Sequence, residues 1–150
     1  MSGEQPESVR LLNPDQRRSL AITLSVLEEM LYEIERTLSG GGYSGVLFEL
    51  RDDLPSQVKG EILKRISLVR EKIGSMAEEF ALEKRKNEAS RDFMGKLAYA
   101  WEILEGTKAR HQRGHGAVAE GLAETLDPQL DDILFLVNQM QNLVTGERKE

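Results

Sequence analysis

The apolar positions of this chain fall into stripes spaced by three and four residues, separated by polar or glycine-rich breaks. Leu20, Leu24, Leu27, Leu31, Ile34 and Leu38 form the first stripe, a spacing that lines apolar side chains along one face of a helix. Asn13 stands before it as a capping residue, with Pro14 at the first helical position and Gln16 where a capping box places its partner. Ser39 to Gly42 ends this helix, because glycine takes the left-handed C-terminal conformation at no steric cost.

Val58, Ile62, Ile66, Val69, Ile73, Met76 and Phe80 carry a second helix, opened by Asp53 and Pro55. The polar run EKRKNEAS breaks this stripe, and Ser90 is placed to cap a third helix. Phe93, Leu97, Trp101 and Leu104 are its inner face. Gly106 to Gly116 interrupts the pattern, and Val118, Leu122 and Leu126 predict a short helical turn. Asp127 and Pro128 then start the last helix. Between the first two helices, YSGVLFELRDDL carries Val46, Leu47, Phe48 and Leu50 but is too short to make a sheet alone. It reads as an irregular strap packed over one end of the helices.

Four amphipathic helices without a convincing strand predict an all-α four-helix bundle with up-and-down connections. This reading makes residues 13–146 one domain, preceded by a flexible arm over 1–12 and followed by a charged tail over 147–150. The last helix is too apolar for one buried face. Ile133 to Val137 are five consecutive apolar residues, which cover every side of a helical turn and need a second surface to bury against. Ile133, Phe135, Leu136 and Val137 are therefore the candidate interface with a second copy or another helical protein. Ile22, Val26 and Met30 give helix 1 a second stripe that extends it.

Composition narrows the class further. In 150 residues, 39% are hydrophobic and 31% charged, a balance that excludes a disordered chain. The net charge of −6 opposes general adhesion to nucleic acid or anionic membrane, so such contacts would need a local basic patch. With no cysteine, disulfides, thiolate metal sites and thiol nucleophiles are excluded, and a cytoplasmic location is expected. The first residues lack the apolar core of a signal peptide, and LAITLSVL and ILFLV are too short to span a bilayer. No membrane partner is expected.

Candidate chemistry is sparse. GGGYSG, residues 40–45, has the glycine spacing of a dinucleotide loop but follows a helix and leads into the strap. A phosphate-binding loop needs the reverse order and a lysine that is missing here, so a helix stop fits better. Asp127, Asp131 and Asp132, with Glu124 upstream, match the acidic start of a helix. Arg17, Arg18, Lys84, Arg85, Lys86 and Arg91 gather at one end of an up-and-down bundle, remote from the other basic stretch, and read as a solvated turn rather than part of one nucleic-acid groove.

That other stretch is GTKARHQRGHGAV, residues 106–118, which holds both histidines. His111 and His115 are spaced to chelate an ion only on a helix, which Gly114 and Gly116 oppose, and the adjacent cations repel a divalent ion. No metal and no cofactor are expected. Arg110, His111 and, after three more residues, His115 fit the R-(N/D/H)-x3-H pattern, and here the chain resembles HEPN domains. The following LAETLDPQLDDIL is also similar to the helix after that motif. The resemblance implies a small, dimeric, metal-independent ribonuclease. It would make His115 the acid/base, Arg110 the phosphate ligand and His111 their polar partner, at a dimer interface. Histidine titrates near neutral pH and arginine presents a fork to phosphate, as RNA cleavage requires. The other reading is that Lys108, Arg110 and the histidines cap the C-terminus of helix 3, where cations are favoured. On that reading the protein is a non-catalytic interaction or scaffold domain, and nucleic acid is a partner only under the ribonuclease alternative.

Overall fold

The computed structural model describes residues 10–146. The tail expected over 147–150 lies outside the described residues, as does most of the arm expected over 1–12. The protein is mostly helical, and its residues fall into two compact units that divide after Arg85. Each unit is a helical hairpin.

The first unit pairs α1, Pro14–Gly40, with α2, Ser56–Glu79. The start of α1 is the predicted capping box. The Asn13 side chain accepts the Gln16 backbone N–H at 2.8 Å, and the Gln16 side chain accepts the Asn13 N–H at 2.9 Å. At the far end Gly41 takes the expected left-handed conformation, with φ 75°. Leu31 from α1 and Ile66 and Ile73 from α2 are the buried apolar residues. An Arg70–Glu35 ion pair joins the two helices beside them.

The link between α1 and α2 differs from the predicted irregular strap. It is a two-stranded antiparallel ribbon, β1 (Gly42–Ser44) against β2 (Glu49–Arg51), in the register Tyr43 opposite Leu50. Gly42 makes the pairing feasible. Its φ is 98°, and a Cβ there would collide with the Leu50 carbonyl oxygen. Tyr43 and Phe48 stack edge to face across the ribbon, 5.8 Å between centroids. Val46 and Leu47 do not pack over anything: at the tip they are 99% and 97% exposed. The exit from the ribbon is held by Asp52, whose carboxylate takes the Lys59 ammonium at 2.8 Å. Asp53, predicted to open α2, has no capping bond, and the residue before the helix is Pro55.

The second unit pairs α3, Ala89–Glu105, with α4, Leu122–Thr145. No side chain caps α3; Glu88 occupies that position and Ser90 is already inside the helix. Helix α4 starts at Leu122, five residues before Asp127, so Pro128 lies inside it. A proline ring removes one helical N–H, and the helix continues through it because Leu126 and Leu130 keep the inward stripe unbroken. The buried residues are Ala109, Leu130, Leu134 and Val137. Trp101, predicted as core on α3, is 38% exposed. The hairpin is two helices thick, so a large side chain has nothing above it to complete its burial.

Candidate functional site

Residues 106–118 connect α3 to α4, and their path is dictated by hydrogen bonds that the local sequence supplies. After Gly106, the Thr107 hydroxyl donates to the Ile103 carbonyl at 2.7 Å, and the Gln112 side-chain amide donates to the Thr107 carbonyl at 2.6 Å. Ala109–His115 then forms a 3-10 helix, and the non-helical end of that segment needs acceptors for its first N–H groups. Asp127 of α4 provides one, its Oδ1 accepting the Ala109 N–H at 2.9 Å. One turn further along α4, Asp131 takes the Lys108 ammonium at 2.8 Å, and Glu105 takes it from the other side at 3.2 Å. The hydrogen bond to Asp131 and then that to Glu105 raise the Lys108 pKa above the usual lysine value.

This geometry changes the meaning of the acidic residues. Asp127, Asp131 and Asp132 match a helix start in the sequence, yet the helix begins earlier and two of the three carboxylates grip the connection instead. Among the described residues, no group of three or more histidines and carboxylates is placed to hold a metal ion.

A shallow concavity of about 670 Å³ opens between the 3-10 helix and α4. Arg110 and Arg113 line it, with Ala109, Val118, Ala123 and Asp127. Three residues make one turn of a 3-10 helix, so these two guanidinium groups share a face. The Arg110 Nε donates to His111 Nε2 at 3.0 Å, and the Arg110 Nη2 lies 3.7 Å from Glu105. His111 and His115 are exposed and stand outside the lining. The structure thus joins Arg110 to His111, and its concavity joins Arg110 to Arg113. His115 is at the far end of the segment. An anion in the concavity would meet two guanidinium forks and one carboxylate.

The four interface candidates separate on α4. Val137 is buried in the hairpin. Ile133 and Leu136 are exposed and continue into Met140 and Leu143, the four being between 45 and 72% exposed. Their steps of three, four and three form a seam, next to the buried seam of Leu130, Leu134 and Val137. Phe135 is also exposed, but at about 100° per residue it projects roughly a third of a turn away from this second seam. Met140 and Leu143 are missing from the sequence-based interface, and the same heptad count starting at Ile133 would have found them. On α1 the second stripe of Ile22, Val26 and Met30 is exposed too.

Compared with known proteins, the chain matches no protein-family model, no curated protein and no solved structure.

Proposed function

We propose that the protein is a non-catalytic interaction domain that works by self-association, and that the exposed seam of α4 is the contact surface. The observation that carries this reading is the line Ile133, Leu136, Met140 and Leu143, apolar, solvent-facing and heptad-spaced over three turns. Contiguous exposed apolar surface of this kind is kept where a partner covers it. A second copy of the α3–α4 hairpin presents the matching seam, and a twofold arrangement lets each residue meet its own kind. Two such hairpins would make a four-helix bundle between copies, in place of the one expected within a single chain. The same surface would also accept a helix of another protein.

Sedimentation of the purified chain tests this directly. The expected result is a dimer at micromolar concentration, and a monomer mass at every concentration would defeat it. Capture of a foreign helix by a monomeric chain would instead support the helical-partner form.

A second reading rests on the Arg110–His111 bond beside a cationic concavity: a HEPN-like ribonuclease or RNA-binding domain, completed when a dimer brings two 110–115 segments together. Incubation with RNA in a chelator separates the two. Cleavage that disappears in His115→Ala establishes the ribonuclease, whereas intact RNA leaves the interaction domain.

A further inference from the structure

The open end of the first hairpin gathers four cations that have no ion-pair partner among the described residues. Helices α1 and α2 run so that the start of one meets the end of the other, and a concavity of about 640 Å³ lies there. Arg17 and Arg18 reach it from the first turns of α1, and Lys84 and Arg85 from the chain after α2. Glu83 is the one carboxylate among the described residues of its lining. None of the four cations forms an ion pair with a described residue. Four like charges held around one space, in a chain with net charge −6, repel one another unless an anion enters.

The backbone is shaped to hold this arrangement. Helix α2 ends with the Leu82 N–H on the Ala77 carbonyl at 2.9 Å and the Ala81 N–H on the Glu78 carbonyl at 3.4 Å. That pair of bonds is a Schellman turn, which places its central residue in the left-handed region. Ala81 occupies that position with φ 50°, where glycine is the usual choice. The turn sends Glu83, Lys84 and Arg85 back toward α1, while Ala21, Ile22 and Ala81 leave the space between them unfilled. The capping box already uses the Asn13 and Gln16 N–H groups. The side chains, rather than the helix terminus, therefore supply the positive charge.

We propose that this concavity binds a small molecule bearing two or more phosphate groups. Three guanidinium groups and one ammonium suit several phosphate oxygens at once, because arginine bonds them in pairs and lysine acts as a mobile point charge. No aromatic side chain among the described residues lines the space to stack on a base, so the recognition is of phosphate. The volume admits a few phosphate groups, and the acidic remainder of the chain repels a long polyanion. Every residue that lines the site belongs to the first unit.

Isothermal titration of the full chain with tripolyphosphate tests the assignment, with orthophosphate, a single-stranded RNA oligonucleotide and anionic phospholipid vesicles as parallel arms. Saturable binding of tripolyphosphate at one site per chain is expected, weaker in high salt and at least about tenfold weaker in R17A/R85A. A second pair, R18A/K84A, should weaken it similarly, and His115→Ala should leave it unchanged. Arg18, Lys84 and Arg85 are exposed and Arg17 is half-buried, so circular dichroism should show wild-type helicity in each variant. Absence of saturable heat, or wild-type affinity in both paired variants, would overturn the proposal. Tighter binding of RNA or vesicles than of tripolyphosphate at equal phosphate concentration would overturn it as well, in favour of an extended polyanion.

Discussion

The two helical hairpins close their connections by opposite means. In the first, residues 42–51 pair with themselves as β1 and β2, so the ribbon satisfies its own backbone groups. It touches the rest of the unit through few anchors, chiefly the Asp52–Lys59 ion pair. In the second, Asp127 of α4 accepts the Ala109 N–H at the start of the 3-10 helix, and Asp131 of α4 holds the Lys108 ammonium just before it. One connection is independent of the helices it joins, and the other is held by side chains eighteen or more residues away in sequence. The difference also bears on function. The self-sufficient ribbon projects an apolar tip into solvent, whereas the anchored segment turns two arginines toward a concavity.

The packing of the hairpins can be compared first, with the largest expected effect. Leu134 is 3% exposed and Leu134→Ala should destabilise the second hairpin by about 2–4 kcal/mol. Ile66→Val, at the matching depth of the first hairpin, should cost about 1 kcal/mol, the ordinary loss for one buried methyl. Urea unfolding followed by circular dichroism measures both. A cost below about 0.5 kcal/mol for Leu134→Ala would mean that the α3–α4 seam is not the core of its unit.

The helix starts give a smaller contrast. Asn13→Ala should cost about 1 kcal/mol, since it removes the side chain that accepts the Gln16 N–H in the capping box. Ser90→Ala should stay within about 0.5 kcal/mol, because Ser90 makes no cap. Equal costs at the two sites would show that the cap of α3 is a serine after all.

The smallest effects separate the connections by pH. The Lys59 hydrogen bond holds the Asp52 carboxyl below the usual carboxylate range, against an opposing effect of burial. A lowered pKa means that its stabilisation is present above the unfolded value and lost as pH falls through the folded one. For Lys108 the sign reverses. Its raised pKa keeps the Asp131 and Glu105 contacts complete below the ordinary lysine value and loses them as pH climbs past the folded one. Asp52→Asn should therefore flatten the acid limb of a stability profile, and Lys108→Met the alkaline limb. Urea midpoints across the pH range check both, and exchanged limbs would contradict the two anchors.

What was readable in the sequence follows the same division between local and distant causes. The Asn13–Pro14–Gln16 start and the Gly41 stop are legible because each depends on residues within one turn. The helical stripes are legible because their period is local. The β ribbon is not: three-residue strands carry almost no alternation, and pairing Tyr43 with Leu50 depends on a turn between them. Asp127 and Pro128 imitate a helix start, and the true role of Asp127 is a bond to Ala109 in another element. Periodicity also marks a residue as apolar without saying which of two stripes is covered. Ile133 to Val137 divide three ways: Leu134 and Val137 inside, Ile133 and Leu136 on the exposed seam, and Phe135 apart from both.

Three consecutive residues of α4 test the self-association reading most directly. Light scattering of Leu136→Glu and Phe135→Glu, at the concentration where the wild-type chain is dimeric, places the contact on one side of the helix or the other. The account predicts a folded monomer for Leu136→Glu and a retained dimer for Phe135→Glu, with Val137→Ala destabilised but still able to associate. A Leu136→Glu chain that keeps the dimer mass would contradict the assignment of the exposed seam as the contact surface.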